Sequence, residues 1–533
     1  MKTIAFRILA LLGILFLTAC GKSPASSKAG APPRSGEERR DSRFGIDYVF
    51  YSEPFYQREE WPRKFSGTGA RWVNFAPVSW ASIEPQKPRG VVHRYQWAAV
   101  DRAVAQWQKH GWSISFTLRT MSGWFAGPIK YRPDMGFTLP EILWKSTDRL
   151  PEPSAMPAYR AWVEAMVERY DGDGRDDMPG LRFPILHYQV GNEYANPMFW
   201  TGTVEDYETL LRETWQSAKK ACPEVKIISN GIRWNDLFHE DPEGLLFEKR
   251  FAAFLEKPSN ARTAAIWKRA RAFTEKTIAL APFYDILDAG GNGPHPSASA
   301  GYMSWVRKEM AKTGLKRAIW DMEARCEPQI APIESGVFHP SLSVPGGKEI
   351  LEAVKKKNNP GHAKAQEWYR AEQARLLARV FVTRFAAGFE KVFMGMPHDW
   401  DGTPAALTVR NPYMGLMDRE GKPWAAFYAL KLLAEKLDGF KTAEKLPGEG
   451  GADLYRFTFP GSSRVVYAAW LREEKVRPLS DPLPAKKVLL KGVRNARELW
   501  EIPTTSQEAS PAKLEGGGKE LIIELTPTPV IIE

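Results

Sequence analysis

From residue 44 onward two kinds of hydrophobic pattern alternate along the chain. Short apolar runs occur at 44–50, 71–75, 112–118, 185–190, 225–229, 284–289, 317–321 and 392–396. Between them, apolar positions recur at three- and four-residue spacing over 98–110, 159–170, 204–221, 264–280, 302–312 and 366–387. The short runs have the length of buried strands, and the spaced stretches have the period of amphipathic helices. Strand and helix in alternation imply a parallel sheet. Eight such repeats over about 400 residues predict a (β/α)8 TIM barrel with long loops. A last helix over 424–437 is entered through Pro423, a residue suited to a first helical turn.

The pattern changes after Gly439. Leu454 to Phe459, Arg464 to Trp470, Lys487 to Leu490 and Leu521 to Leu525 are short β-type runs separated by Pro, Gly and charged turns. They predict an all-β sandwich domain over 441–533, packed on a barrel that occupies 44–440. The first residues differ from both. Lys2 and Arg7 precede an apolar run from Ile8 to Thr18, which is short for a bilayer span. It ends in Leu17-Thr18-Ala19-Cys20, which resembles the bacterial lipobox. That resemblance implies a signal peptide over 1–19, a lipidated Cys20 and a protein held at a membrane surface outside the cytoplasm. Gly21 and Lys22 resemble the outer-membrane sorting context of double-membraned bacteria. Residues 20–43 are rich in Ser, Ala, Pro, Gly and Arg and read as a flexible tether.

Composition narrows the function classes. Hydrophobic residues make up 43% of the 533 and charged residues 26%, which excludes wholesale disorder. The net charge is +11, but the first 43 residues carry eight Lys/Arg against three Asp/Glu, and the remaining excess is spread thinly. That is no nucleic-acid footprint. Three cysteines exclude a disulfide scaffold. Cys222 and Cys326 read as buried thiols, since nothing in their placement supports a pair. CxxC, P-loop and GxSxG patterns are absent, so no cofactor and no metal are expected. Asp171 to Asp177 resembles part of an EF-hand loop, but Arg182 stands where the closing Glu belongs, and Asx turns account for the Asp/Gly density. The 20 tryptophans tilt the balance toward a carbohydrate partner, whose C–H faces stack on flat rings.

In such a barrel, catalytic residues follow the strands. The fourth run ends in Gly191-Asn192-Glu193 and the seventh in Asp321-Met322-Glu323, followed by Arg325. Two carboxylates across the barrel mouth, about 5–5.5 Å apart, suit retaining glycoside hydrolysis. His295 follows run six, Trp400 follows run eight, and Arg119 and Trp124 follow run three. All four are candidate substrate-binding residues. Glu84 reads as a loop carboxylate.

Asn-Glu after strand four, Glu after strand seven and Trp after strand eight resemble the clan A glycoside hydrolases. The family of β-xylosidases and α-L-iduronidases is nearest, and the cellulase and mannanase family is next. The resemblance implies Glu193 as acid/base, Glu323 as nucleophile, Asn192 on the sugar 2-hydroxyl and Trp400 as the floor of the −1 subsite. The strand-six segment lacks the usual His-x-Tyr, so the tyrosine partner of the nucleophile is unassigned. The alternative is a catalytically silent glycan-binding surface lipoprotein on the same scaffold, which has no need to keep both glutamates.

Overall fold

The computed structural model describes residues 38–52, 56–121, 123–127, 147–232, 235–258, 264–290, 296–328, 330, 346–402, 411–473, 477–478, 481–514 and 520–533. Eight parallel strands close in chain order: β1 (Phe44–Val49), β2 (Trp72–Ser79), β3 (Ser113–Arg119), β4 (His187–Val190), β5 (Lys226–Ile228), β6 (Ile286–Asp288), β7 (Ala318–Ala324) and β8 (Lys391–Met394), with β8 paired back to β1. The expected barrel is the observed one, and each strand lies on one of the eight apolar runs. Two strands run well past their expected ends: β2 continues beyond residue 75 to Ser79, and β7 beyond residue 321, which puts Glu323 inside the strand.

The helices Ala98–Lys109, Met156–Tyr170, Val204–Ala221, Ala264–Ala279, Ser299–Ala311, His362–Ala387 and Ala425–Leu437 lie on the periodic stretches. Val204–Ala221 starts at a capping box, in which Thr203 and Asp206 satisfy each other's backbone N–H groups. Among the described residues four α-helices lie outside the predicted stretches: Glu60–Ser66, Trp80–Ile83, Phe247–Glu256 and Gly347–Lys355.

The barrel interior changes character along its axis. At the N-terminal end of the strands Trp72, His187, Trp320 and Phe393 pack ring against ring, with centroids 4.9–6.4 Å apart. Gly45 is required there, because a Cβ would sit 2.4 Å from the Phe393 ring. Residues 38–43, the end of the expected tether, lie against this floor. The Arg40 carbonyl accepts from the Trp72 indole N–H (3.3 Å) and Lys391 Nζ (2.8 Å), and Ser113 Oγ donates to Glu38 (3.1 Å). Above the aromatic floor comes a polar layer, described below.

The C-terminal domain is antiparallel. A six-stranded sheet has the order β14 (Pro511–Lys513), β13 (Glu498–Glu501), β16 (Val530–Ile532), β11 (Val465–Leu471), β10 (Ala452–Thr458), β9 (Thr442–Leu446). A second sheet pairs β12 (Lys486–Leu490) with β15 (Leu521–Leu525). The two-residue period of the strands divides the work. Leu454, Tyr467, Ala469 and Ile532 pack with Val488, Leu490 and Leu525 between the sheets. Tyr455, Phe457, Val466, Ala468, Trp470 and Ile531 join the core of the barrel. This is the expected sandwich, packed on the barrel. Cys222 and Cys326 are buried free thiols. Among the described residues no helix is long and apolar enough to cross a membrane.

Candidate active site

Strand irregularities shape the mouth of the barrel. The β7–β8 register shifts between Asp321 and Ala324, and the β1–β2 register between Ile46 and Val49. Bulges of this kind re-aim side chains beside active sites. Here they present Glu323 and Tyr48, and Tyr48 has a left-handed backbone (φ 54°) that a bulky residue rarely adopts. The Tyr48 hydroxyl donates to Glu323 Oε2 at 3.0 Å and accepts from Asn192 Nδ2 at 2.8 Å. Arg325 Nη1 donates to the other oxygen, Glu323 Oε1, at 3.1 Å. Glu323 is buried and hemmed from β8, where a Cβ on Gly395 would stand 3.1 Å from its Cγ.

Glu193 comes one residue after Asn192 and is also buried. Gly191 and Glu193 both have positive φ (78° and 50°). A Cβ on Gly191 would lie 2.1 Å from the Tyr194 ring, so only glycine permits this turn. The Glu193 carbonyl accepts from Asn196 N–H (2.7 Å) and starts the turn that leads to Trp200. Strained positions of this type cluster at functional sites.

Beneath the dyad a chain of polar side chains crosses the barrel. Asn74 Nδ2 donates to Asp47 (2.7 Å) and Thr117 Oγ1 (2.8 Å); Thr117 donates to Gln189 (2.7 Å), and Gln189 Nε2 to Asp288 (2.8 Å). Asp288 Oδ1 also accepts from the backbone N–H of Gly290 and Met322. Burial, with Glu323 adding repulsion, pushes the Asp47 carboxyl well above its ordinary range. Burial likewise pushes Asp288 up to about 7, against two backbone hydrogen bonds and with Asp321 and Glu323 adding to the rise. Asp321 faces the other way, to Arg384 of His362–Ala387 (3.1 Å), and its Oδ1 accepts from Glu323 N–H.

Of the other sequence-predicted residues, Trp400 and Arg119 stand near Tyr48. Trp400 is 9% exposed and packs edge-on to Tyr48 (6.3 Å) and against Phe50, Met396 and Met414. Its neighbour Asp399 is fixed by Arg370 (2.6 Å), Gly415 N–H and the Trp424 indole. Arg119, ending β3, donates to Asp148 Oδ2 (2.5 Å), which also accepts from the Tyr194 hydroxyl (2.7 Å). The Trp124 indole donates to the Glu84 carbonyl (2.9 Å), and its ring packs on Trp80 and Phe125. Glu84 is fully buried and held by the Trp80 indole and His93. The carboxylates of Asp171, Asp173 and Asp177 lie close together and accept N–H groups of their own loop, as Asx turns do. His295 and Cys20 lie outside the described residues.

Tyr48 and Arg325 were not among the sequence candidates. Tyr48 lies within a run read as strand, with no motif around it. Arg325, two residues after Glu323, was visible as a cation beside a candidate carboxylate.

Comparisons with known proteins place this arrangement in a structural context. No family model matches the sequence, and no curated protein matches it. Solved structures do match. A family 39 glycoside hydrolase from the gut symbiont Bacteroides cellulosilyticus WH2 superposes with a TM-score of 0.54 at 16% identity, over 94% of this chain and 82% of that one. A monomeric β-xylosidase from Caulobacter crescentus CB15 gives 0.50 at 15%, over 93% and 97%. The GH39 enzyme from Xanthomonas axonopodis pv. citri gives 0.50 at 13%, over 93% and 95%. The likeness is one of fold: barrel and appended β domain together are shared with family 39 glycoside hydrolases of clan A.

Proposed function

We propose that this chain is a retaining glycoside hydrolase acting on an oligo- or polysaccharide, with Glu193 as acid/base and Glu323 as nucleophile. The observation that carries the reading is the hydrogen-bonded line from Asn192 through Tyr48 to Glu323, with Arg325 on the second carboxylate oxygen. It links the ends of β4 and β7 around a buried carboxylate whose oxygens are held by donors. Such donors orient an ionised nucleophile. Tyr48 fills, from β1, the place for which strand six supplies no tyrosine.

In the first step Glu323 attacks the anomeric carbon while Glu193 protonates the departing oxygen. In the second, Glu193 takes a proton from water, the water attacks, and Glu323 leaves as a carboxylate. Asn192 and Trp400 are assigned to the −1 subsite, the first by its place beside Glu193 and the second by its contact with Tyr48. Arg119, Trp124 and His295 are proposed as further substrate-binding residues. Because a fold neighbour is named as a β-xylosidase, nitrophenyl β-xylosides head the substrate panel. Hydrolysis of at least one nitrophenyl glycoside or polysaccharide, abolished in Glu323→Ala with unchanged melting, is the expected result. A panel with no cleavage, or full activity in Glu323→Ala, would remove the reading.

A further inference from the structure

The guanidinium beside Glu323 is shared. Arg325 gives Nη1 to Glu323 Oε1 (3.1 Å), while Nε (2.8 Å) and Nη2 both donate to Glu327 Oε1. One cation thus stands between two carboxylates, both largely removed from water. Its other neighbours are the Met414 sulfur at 3.3 Å, Tyr48, and Tyr369 on the helix His362–Ala387. The groups facing Glu323 from the other strands are Tyr48 and Asp47 on β1 and Asp288 on β6, with Asp321 on β7 itself. Arg325 is therefore the one cation in contact with Glu323 among the described residues, and Glu327 competes for it.

We propose that Arg325 and Glu327 form a positioning pair that sets the balance between forming and breaking the glycosyl ester on Glu323. The inference rests on Glu323 being the nucleophile. A hydrogen bond from a cation stabilises a carboxylate more than the neutral ester it becomes. Arg325 thus restrains the attack, in which the Glu323 C–O–glycosyl bond forms and the aglycone bond breaks. It assists the second step, in which water's oxygen bonds the anomeric carbon and Glu323 departs with the electron pair. Glu327 draws part of the guanidinium away and moderates both effects.

The two variants have opposite signatures on the dinitrophenyl glycoside of whichever sugar the parent cleaves. Arg325→Gln slows departure of Glu323. A pre-steady-state burst grows, kcat falls on the order of tenfold, and KM falls further, so that kcat/KM rises. Arg325→Lys, which keeps the charge, moves all three back toward the parent. Glu327→Gln leaves the whole cation to Glu323, so KM rises, kcat/KM falls and no burst appears. Equal losses of kcat/KM in Arg325→Gln and Glu327→Gln, with the burst unchanged, would reduce the pair to a structural prop. Should Arg325→Gln fail to fold, the direction of change in Glu327→Gln alone decides. Full activity in Glu323→Ala would overturn the nucleophile assignment and this inference together. A dead Glu323→Ala with an unmoved burst in the pair variants overturns the pair alone.

Discussion

The two ends of the barrel hold buried ionisable groups in opposite ways. At the floor, Lys391 lies over the Trp72 and Trp320 rings (4.7 and 5.4 Å) and gives its protons to the carbonyls of Arg40 (2.8 Å) and Ser42 (2.6 Å). Burial lowers its ammonium to about 8, and burial with nearby Lys391 drives His187 well below its ordinary range. Their partners are backbone carbonyls and ring faces. At the mouth, Glu323 is held by the side chains of Tyr48 and Arg325, and Glu193 is itself one of two positive-φ positions in three residues. The floor is closed by the chain's own residues 38–43. The mouth gathers carboxylates in a polar layer, where like charges repel. Burial of charge costs stability at both ends, but only the mouth adds like-charged carboxylates and strained backbone, the pattern expected when one end is kept for chemistry.

The contrast can be broken most sharply at Glu193. Glu193→Ala is expected to lose on the order of 10²–10⁴ in rate on glycosides with poor leaving groups. Activated aryl glycosides suffer less in their first step, and added azide restores turnover with a glycosyl azide product. Steady-state rates on a leaving-group series check this, and a uniform loss across the series would deny Glu193 the acid role.

A pair of tryptophans compares the ends directly. Trp320→Ala at the floor should destabilise by about 3–5 kcal/mol, the range for a buried tryptophan, with kcat of the folded fraction intact. Trp400→Ala at the mouth should cost far more in kcat/KM than in Tm. Denaturant melts alongside kinetics separate the two, and interchanged outcomes would reverse the roles given to the ends.

The smallest effect is a slope. Folded Asp288 titrates near 7 against an ordinary 3.8, so it binds its proton more tightly than the unfolded chain does. Its contribution to stability is full below about pH 4 and is lost as the pH rises through about 7. Asp288→Asn removes that loss, so Tm of the variant minus Tm of the parent should climb between those values. A difference that stays flat, or falls, would place the charge elsewhere in the polar layer.

The sequence made the barrel legible because each strand is an apolar run and each major helix an amphipathic one, so period and order alone carry the topology. Glu193, Glu323 and Trp400 were legible by position, since strand ends mark the mouth. Tyr48 was not, because its role depends on a register shift in β1 that no two-residue period announces. β7 extends past its expected end for a related reason: Glu323 is polar but buried, its oxygens held by Tyr48 and Arg325, so the apolar run stops before the strand does. The polar layer of Asp47, Asn74, Thr117, Gln189 and Asp288 was equally hidden. Its members come from five strands and meet only on closure.

Proton NMR of the parent acting on an aryl glycoside, followed from the first turnovers, reads the anomeric configuration of the released sugar. Retention is the expected result, because Glu323 must hold the glycosyl group before water takes it. Inversion would contradict it, leaving Glu323 to activate water and no ester for Arg325 and Tyr48 to govern.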